Sequence, residues 1–463
     1  MEQRSAIGGR EKYIFEEAPI PRAVRVMAAP TVITQLINII YNYADTWFVG
    51  RTQDPAMVAA LGVSFPLFVL LAAVANLFGI GGSSVISRSL GMKDPEKARR
   101  VFAFCFWGGM AAALFYMLVM ALFGSSVILY IGGDENSYPY IRQYIFWTII
   151  VGAVPTVGNV LCGHLVRSVG ASRQAGIGMS MGGLLNIALD PLFMFVILPA
   201  GYEVEGAAIA TLISNCAAFV YFLIFFARHR EEPVFDINIR HVSFSDHIPA
   251  DVLVIGVPAA LQTTLAMVSN MAANALVKGY GTEAVTGLGV AKKINMIAFN
   301  TCMGVTMGVL PLIGYNFGSG NFARMKKIIR FTGLSVFSFG CCCTLIFELF
   351  DSRLISFFIS EPVSVACGAQ MLSVLAYAAP LAAVTYMVNV VFQATGHKTE
   401  SFILSVLRKG VLDVSGMFIL KPVMGVMGVM AATPVAEVLS AALAAVLYIR
   451  LIRGLGREKG AAA

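Results

Sequence analysis

Twelve apolar runs, separated by short polar connections, follow one another along the 463 residues. A helix needs about 20 apolar residues to cross the hydrocarbon core of a bilayer. The runs fall at 26–49, 57–86, 101–124, 140–166, 174–198, 206–227, 251–277, 284–313, 328–350, 367–395, 401–420 and 427–450. Each meets that length, so the pattern predicts an all-α integral membrane protein with twelve transmembrane helices.

The longest polar stretch between runs, 228–250, divides the chain into two sets of six. The sets repeat in order. Pro30 matches Pro258, Ala60-Leu61-Gly62-Val63 matches Gly287-Leu288-Gly289-Val290, and Gly91 falls on Gly318. Pro155 matches Pro380, Ser168-Val169-Gly170 matches Ala394-Thr395-Gly396, and Gly206 and Thr211 match Gly428 and Thr433. An even number of spans per repeat gives both halves the same orientation. The expected architecture is therefore two homologous six-helix lobes, related by a pseudo-two-fold axis along the membrane normal, with a cavity between them. The expected division is a cytosolic segment 1–25, a first lobe 26–227, a cytosolic linker 228–250, a second lobe 251–452 and a cytosolic tail 453–463.

Composition agrees with a bilayer as the outer solvent. Hydrophobic residues make up 58% of the chain and charged residues 13%, with a mean hydropathy of +0.77. Soluble domains carry about 25% charged residues. The net charge of +7 does not point to nucleic acid, because the basic residues lie in short loops rather than in one patch. Placing the amino terminus inside puts most Lys and Arg on the cytosolic side and leaves Arg51, Arg142, Lys278, Arg353 and Lys421 outside. That imbalance predicts a multi-pass cell-membrane (inner-membrane) protein with both termini cytosolic. The first 25 residues lack the short apolar core of a cleaved signal peptide. The eight cysteines lie in or beside apolar runs without the spacing of a zinc site, which predicts buried small hydrophobes and no structural metal.

Ionisable groups inside a membrane are costly and mark function by default. The first half carries Asp45 late in its first span, Asn186 and Asp190 late in its fifth, and Thr211 early in its sixth. At 1.5 Å per residue, Asp45 lies roughly 28 Å and Asp190 roughly 24 Å from the inner ends of their helices. Asn186 and Asp190, four apart, share one helix face. Two carboxylates, an amide oxygen and a hydroxyl form a hard-oxygen set suited to Na+ or to a shared proton. The competing reading places Asp45 at headgroup level and makes Asp190 a cap for a kink before Pro191. The repeat places Ala273, Leu412 and Gly416 where Asp45, Asn186 and Asp190 stand, and retains only Thr433. The acidic cluster is thus not a requirement of the fold.

The second half offers Gln262, Asn270, Asn274, Asn389, Gln393 and Asp413 as candidates for a substrate cavity, with Lys292, Lys293, Arg408, Lys409 and Glu437 also in or near its spans. Arg408 and Asp413 are five apart, a poor helical pair. Gly79, Gly81 and Gly82 lie within a span, where small residues serve close helix approach rather than phosphate binding. No Walker motif is present, so no nucleotide cofactor and no ATPase partner are expected.

At several of these residues the chain resembles the multidrug and toxic compound extrusion family. The carriers are Gln35 with Asp45-Thr46 and Gly50, the Gly91-Met92-Lys93-Asp94 loop, Arg167-Ser168-Val169-Gly170, Asn186-Ile187-Ala188-Leu189-Asp190-Pro191, and Phe392-Gln393-Ala394-Thr395-Gly396. The resemblance implies alternating access between two lobes and Na+- or H+-coupled export of amphipathic, often cationic, small molecules by a monomer. It implies that Asp45, Asn186, Asp190 and Thr211 form the cation site, and it adds Gln35 to the cavity candidates. Some members place acids in spans seven and ten; this chain has none at the core of either. Two other readings remain open at this point. A flippase for a lipid-linked sugar would use Lys292, Lys293, Arg408 and Lys409 in a cationic cavity. A membrane-embedded enzyme would rest on His164, which has no second His or nearby acid in its span.

Overall fold

The computed structural model describes residues 9–131 and 134–461. Residues 1–8 of the expected amino-terminal segment, 132–133, and 462–463 of the expected tail lie outside the described residues.

Spans one to three are Ile20–Gly50, Pro55–Gly91 and Pro95–Tyr130. Span four is Tyr138–Val151 followed by Ala153–Ser168, bent by 54°. Span five is Ser172–Leu192 continued by a π-helical turn, Phe193–Ile197, and span six is Glu203–Arg228. Spans seven to nine are Ile248–Lys278, Thr282–Gly318 and Phe322–Ser356. Span ten joins Pro362–Ala376 to Ala378–Thr395. Span eleven joins Lys398–Val406, a π segment Leu407–Asp413, and Val414–Met424; span twelve is Val426–Ala461. Among the described residues, ten helices are long and apolar enough to cross a membrane alone, and the bent pair makes an eleventh. Span eleven completes the twelve. Arg408, Lys409 and Asp413 all fall in its π segment.

The helices begin beyond the apolar runs because polar caps extend them. Asp54 accepts from the Ala56 amide at 2.8 Å and Asp94 from the Lys97 amide at 2.9 Å. Each is followed by proline, whose missing donor costs nothing at the first helical position. Interior prolines sit in both lobes, at Pro30 in span one and Pro258 in span seven. Each removes a ladder donor and favours a bend.

The lobes meet through glycine. A Cβ on Gly256 of span seven would strike the Leu77 carbonyl of span two, and one on Gly81 of span two would strike the Val252 carbonyl of span seven. In the register that sets Gly91 on Gly318, Gly81 falls on Gly308 of span eight, which lies against Met27 and Ala28 of span one. Two glycine-mediated crossings therefore repeat about the pseudo-two-fold axis. Close backbone approach supplies the van der Waals packing that holds helices together where lipid is as apolar as the side chains. Polar contacts continue across the interface. Asn76 donates to Thr263 at 3.1 Å, Ser84 donates to the Gln393 carbonyl, and Tyr43 donates to the Lys293 carbonyl at 2.7 Å.

One face of the molecule carries the linker and a short amino-terminal helix, Gly9–Glu16. Phe15 is fully buried and stacks on Tyr315 at the end of span eight, with ring centroids 4.7 Å apart. The Phe15 carbonyl accepts from Asn316 at 3.2 Å and Arg324 at 2.8 Å. Tyr315 in turn donates to Glu16 at 2.6 Å. On the first-lobe side Phe15 lies against Gly170. The amino-terminal helix thus bridges both lobes at this linker face.

Candidate cation site in the first lobe

Span five delivers Asn186 and Asp190 one turn apart, and span six delivers Thr211 beside them. The Asn186 amide nitrogen donates to Asp190 Oδ1 at 3.2 Å and to Thr211 Oγ1 at 3.1 Å. Pro191 and the π-helical turn after it end the regular helix directly beyond Asp190. The Asp190 side chain points back along its own helix to Asn186, and does not cap the kink. Asp45 arrives from span one, which packs along span five. It is buried.

Three oxygens of this cluster, Asp45 Oδ1, Asn186 Oδ1 and Asp190 Oδ2, are buried without a hydrogen-bond partner. Nearly all buried polar atoms in proteins are partnered, and a buried unpaired acceptor carries its full desolvation penalty. These orphaned hard oxygens fit a small cation or a proton, and either ligand offsets the repulsion between two buried carboxylates.

The second lobe fills the matching region differently. Asp413 accepts from Ser269 at 2.7 Å, from Thr433 at 2.9 Å and from Lys409 at 2.8 Å. Thr433 is the repeat partner of Thr211; where Thr211 meets the Asn186 amide, Thr433 meets a carboxylate directly, and a lysine of the chain itself supplies the cation. Arg408 pairs with both Glu437 oxygens at 2.8 and 2.9 Å and lies 4.1 Å from the centroid of the Tyr386 ring. Arg408 and Asp413 do not pair. Lys409 and Asp413, four apart, hold the ordinary helical pair spacing. The Arg408–Glu437 pair was not anticipated from the pattern; the one signal was a lone acid, Glu437, in an apolar span.

The remaining cavity candidates separate into four places. Gln35 is half-buried on span one and accepts from Asn38 at 3.5 Å. Gln262 and Asn389 bond each other at 2.9 Å, and Asn389 also accepts from Ser401 at 3.2 Å. Asn270 and Asn274 are exposed on span seven. Gln393 is fully buried near the linker face, where its backbone carbonyl takes the Ser84 hydroxyl and both its amide atoms lack partners. His164 is half-buried beside Arg167, 3.4 Å from a guanidinium nitrogen, with a Cβ at Gly79 excluded by its ring.

A family model described as MatE matches the chain twice, over residues 30–192 and 258–419. Multidrug export protein MepA of Staphylococcus aureus (strain MRSA252) is 29% identical over 443 residues, covering 95% of this chain and 96% of that one. MepA of Staphylococcus saprophyticus subsp. saprophyticus is 29% identical over the same shares. Among solved structures, an outward-facing conformation of a multidrug resistance MATE family transporter of the MOP superfamily superposes with a TM-score of 0.90. It is 24% identical, over 97% of this chain and 99% of that one. MATE in complex with MaL6 gives 0.90 at 23% identity, over 96% and 99%. These structures share the fold: twelve helices in two lobes. With two family matches spanning most of its length, the chain belongs to the MatE family.

Proposed function

We propose that the chain is a secondary active multidrug efflux transporter, exporting amphipathic cationic small molecules by alternating access in exchange for Na+ or H+ bound at Asp45, Asn186, Asp190 and Thr211. The observation that carries the coupling site is the trio of buried, unpartnered oxygens at Asp45, Asn186 and Asp190. The matching region of the other lobe is neutralised internally by Lys409, which leaves the first lobe as the place where a mobile cation changes the charge. The ion is cargo here, and no further cofactor is invoked.

Binding of the cation joins spans one, five and six. A ligand shifts a conformational equilibrium only by its differential affinity for the two states. Exchange then requires that cation and substrate favour different states. The lobes 26–227 and 251–452 would move as units on the linker 228–250, with both termini and the linker in the cytosol of a cell-membrane protein. The glycine crossings and the Phe15 bridge close the linker face, which supports a cavity opening to the opposite side.

A flippase for a pyrophosphate-bearing lipid fits less well. Of the four basic residues it would use, Arg408 and Lys409 are held by Glu437 and Asp413. The test is uptake and efflux of fluorescent cationic amphiphiles by proteoliposomes under imposed Na+ and pH gradients. Gradient-dependent dye movement supports the proposal. Movement of a lipid-linked pyrophosphate and of no dye, under either gradient, favours the flippase.

A further inference from the structure

We propose that the amino-terminal helix Gly9–Glu16 is a pH-sensitive strap: acid at the linker face tightens its grip on the first lobe and holds that face closed, and alkali loosens it. The consequence for export rests on the reading above; the docking of the strap does not.

The strap holds the two lobes by different chemistry. On the second lobe, Arg324 donates to the carbonyls of Ile14, Phe15 and Ala18 at 3.1, 2.8 and 2.7 Å. A cation there satisfies orphan acceptors at the end of a helix and suits its dipole. A guanidinium does not lose its proton in proteins, so this anchor does not titrate.

On the first-lobe side the strap closes over a cavity of about 40 Å3, room enough for water. Glu11 of the strap, Gln174 of span five, and His229 and Glu232 of the linker line it, with Phe225 and Phe235 as apolar walls. No lysine or arginine lines it. Glu11, His229 and Glu232 are half-buried. The Glu11 stem packs on Gly170, where a Cβ would approach it to 3.2 Å, so the docked strap holds this carboxylate at the cavity. Among the described residues, neither Glu11 nor Glu232 is in an ion pair. Docking therefore confines two like charges beside one imidazole.

Burial raises the Glu232 carboxyl above its ordinary pKa; His229 draws it down, and Glu11 pushes it up again. His229 is fixed in place. Its Nδ1 donates to the Phe225 carbonyl at 2.9 Å, and its ring lies over Phe225 with centroids 4.2 Å apart. A carbonyl only accepts, so Nδ1 carries the hydrogen and Nε2 is the nitrogen open to a further proton. Imidazole is the side chain whose charge changes between about pH 5 and 8.

A proton on His229 or on Glu232 removes net negative charge from the cavity. Release of the strap gives Glu232 back to water and takes Glu11 away, so the docked form binds protons more readily than the released form. By linkage, docking strengthens as pH falls and weakens as pH rises through the docked pKa. With the linker face in the cytosol and H+ as the exchanged ion, each proton imported acidifies that face and slows its reopening.

Spin labels on cysteines placed at Lys12 and Ala227, both exposed, report docking through their distance distribution. The protein is the full-length chain, otherwise cysteine-free, in nanodiscs. We expect the ratio of docked to released strap to rise about tenfold from alkaline to acid pH, as for one group whose proton affinity differs about tenfold between the two states. Glu232→Gln should favour docking at alkaline pH and flatten the response. Glu11→Gln, from the strap side, should do the same, and Glu232→Gln combined with His229→Gln should abolish the response. A wild-type ratio independent of pH, an unaltered response in the combined variant, or release of the strap by both single carboxyl variants would overturn the proposal. Asp45→Asn, which alters the cation site, should leave the response of the strap in place; its disappearance there would make the strap a follower of that site and also overturn the proposal. If the wild type moves no dye under any gradient, the export reading fails while the strap still stands or falls on these distances.

Discussion

The Asn186 side chain donates to Thr211 Oγ1 at 3.1 Å, tying span five to span six with the same nitrogen that reaches Asp190. Its repeat counterpart in the second lobe is Leu412, so the helix packing tolerates an apolar residue at this position. Asn186→Leu should therefore fold and insert normally while losing most gradient-driven export. Thermal melting in detergent beside proteoliposome transport checks both halves of that expectation.

The Arg408–Glu437 pair is almost wholly enclosed, with 4% and 1% side-chain exposure. Removing one member leaves the other charge unpaired, at a cost of about 3–5 kcal/mol, whereas replacing both with apolar residues of similar size is often near neutral. Glu437→Gln should sharply lower the melting temperature, and the double variant Arg408→Met with Glu437→Met should recover most of it. Equal melting of both single and double variants would remove the pair from the account of second-lobe stability.

Much of this architecture was legible in the sequence, and the reasons are physical. Bilayer thickness sets the length of an apolar run, so the spans stand out, and the repeat follows from Pro30 and Pro258 or Gly91 and Gly318 in common order. Asn186 and Asp190 announced themselves by their four-residue spacing, and their expense in lipid drew attention to Asp45. Side-chain pairing in span eleven was only half legible: Lys409 and Asp413 hold the ordinary four-residue spacing, while Arg408 turns to another span. Five residues between Arg408 and Asp413 read as a poor pair on an α-helix, and nothing in the pattern directs Arg408 to Glu437 in another span. Asn389 and Gln393, one turn apart in the same apolar run, are both buried, but Asn389 finds partners in Gln262 and Ser401 while the crossing of spans two and ten leaves the Gln393 amide without one.

Gly256 lies where span seven touches the Leu77 carbonyl. Valine there forces the crossing apart. Gly256→Val should open the linker face and lower the yield of a disulfide between cysteines placed at Asn76 and Thr263, whose native side chains meet at 3.1 Å. Oxidative cross-linking in membranes reads this directly. An unchanged yield would mean that the crossing adapts without separating the lobes.

Phe15 fills its site completely against Tyr315. Phe→Ala at a buried site costs about 3–5 kcal/mol. Because the bridge spans both lobes at one face, that loss should weaken the closed state of the linker side more than the lobes themselves. Phe15→Ala should raise thiol labelling of a cysteine at Ser84, a buried interface residue, with little change in the melting of either lobe. Labelling at the background rate would confine Phe15 to local packing.

The central claim is that the Asp45, Asn186, Asp190 and Thr211 cluster is where the driving cation acts on the substrate. The most direct measurement is a substrate-binding titration of wild type, Asp45→Asn and Asp190→Asn, with and without Na+ and repeated across pH. The account predicts that the wild type releases substrate when Na+ or protons are added, and that both variants bind substrate yet no longer respond to either ion. If both variants still release substrate on cation addition as the wild type does, the coupling site lies elsewhere, and Asp413 and Glu437 become the groups to examine.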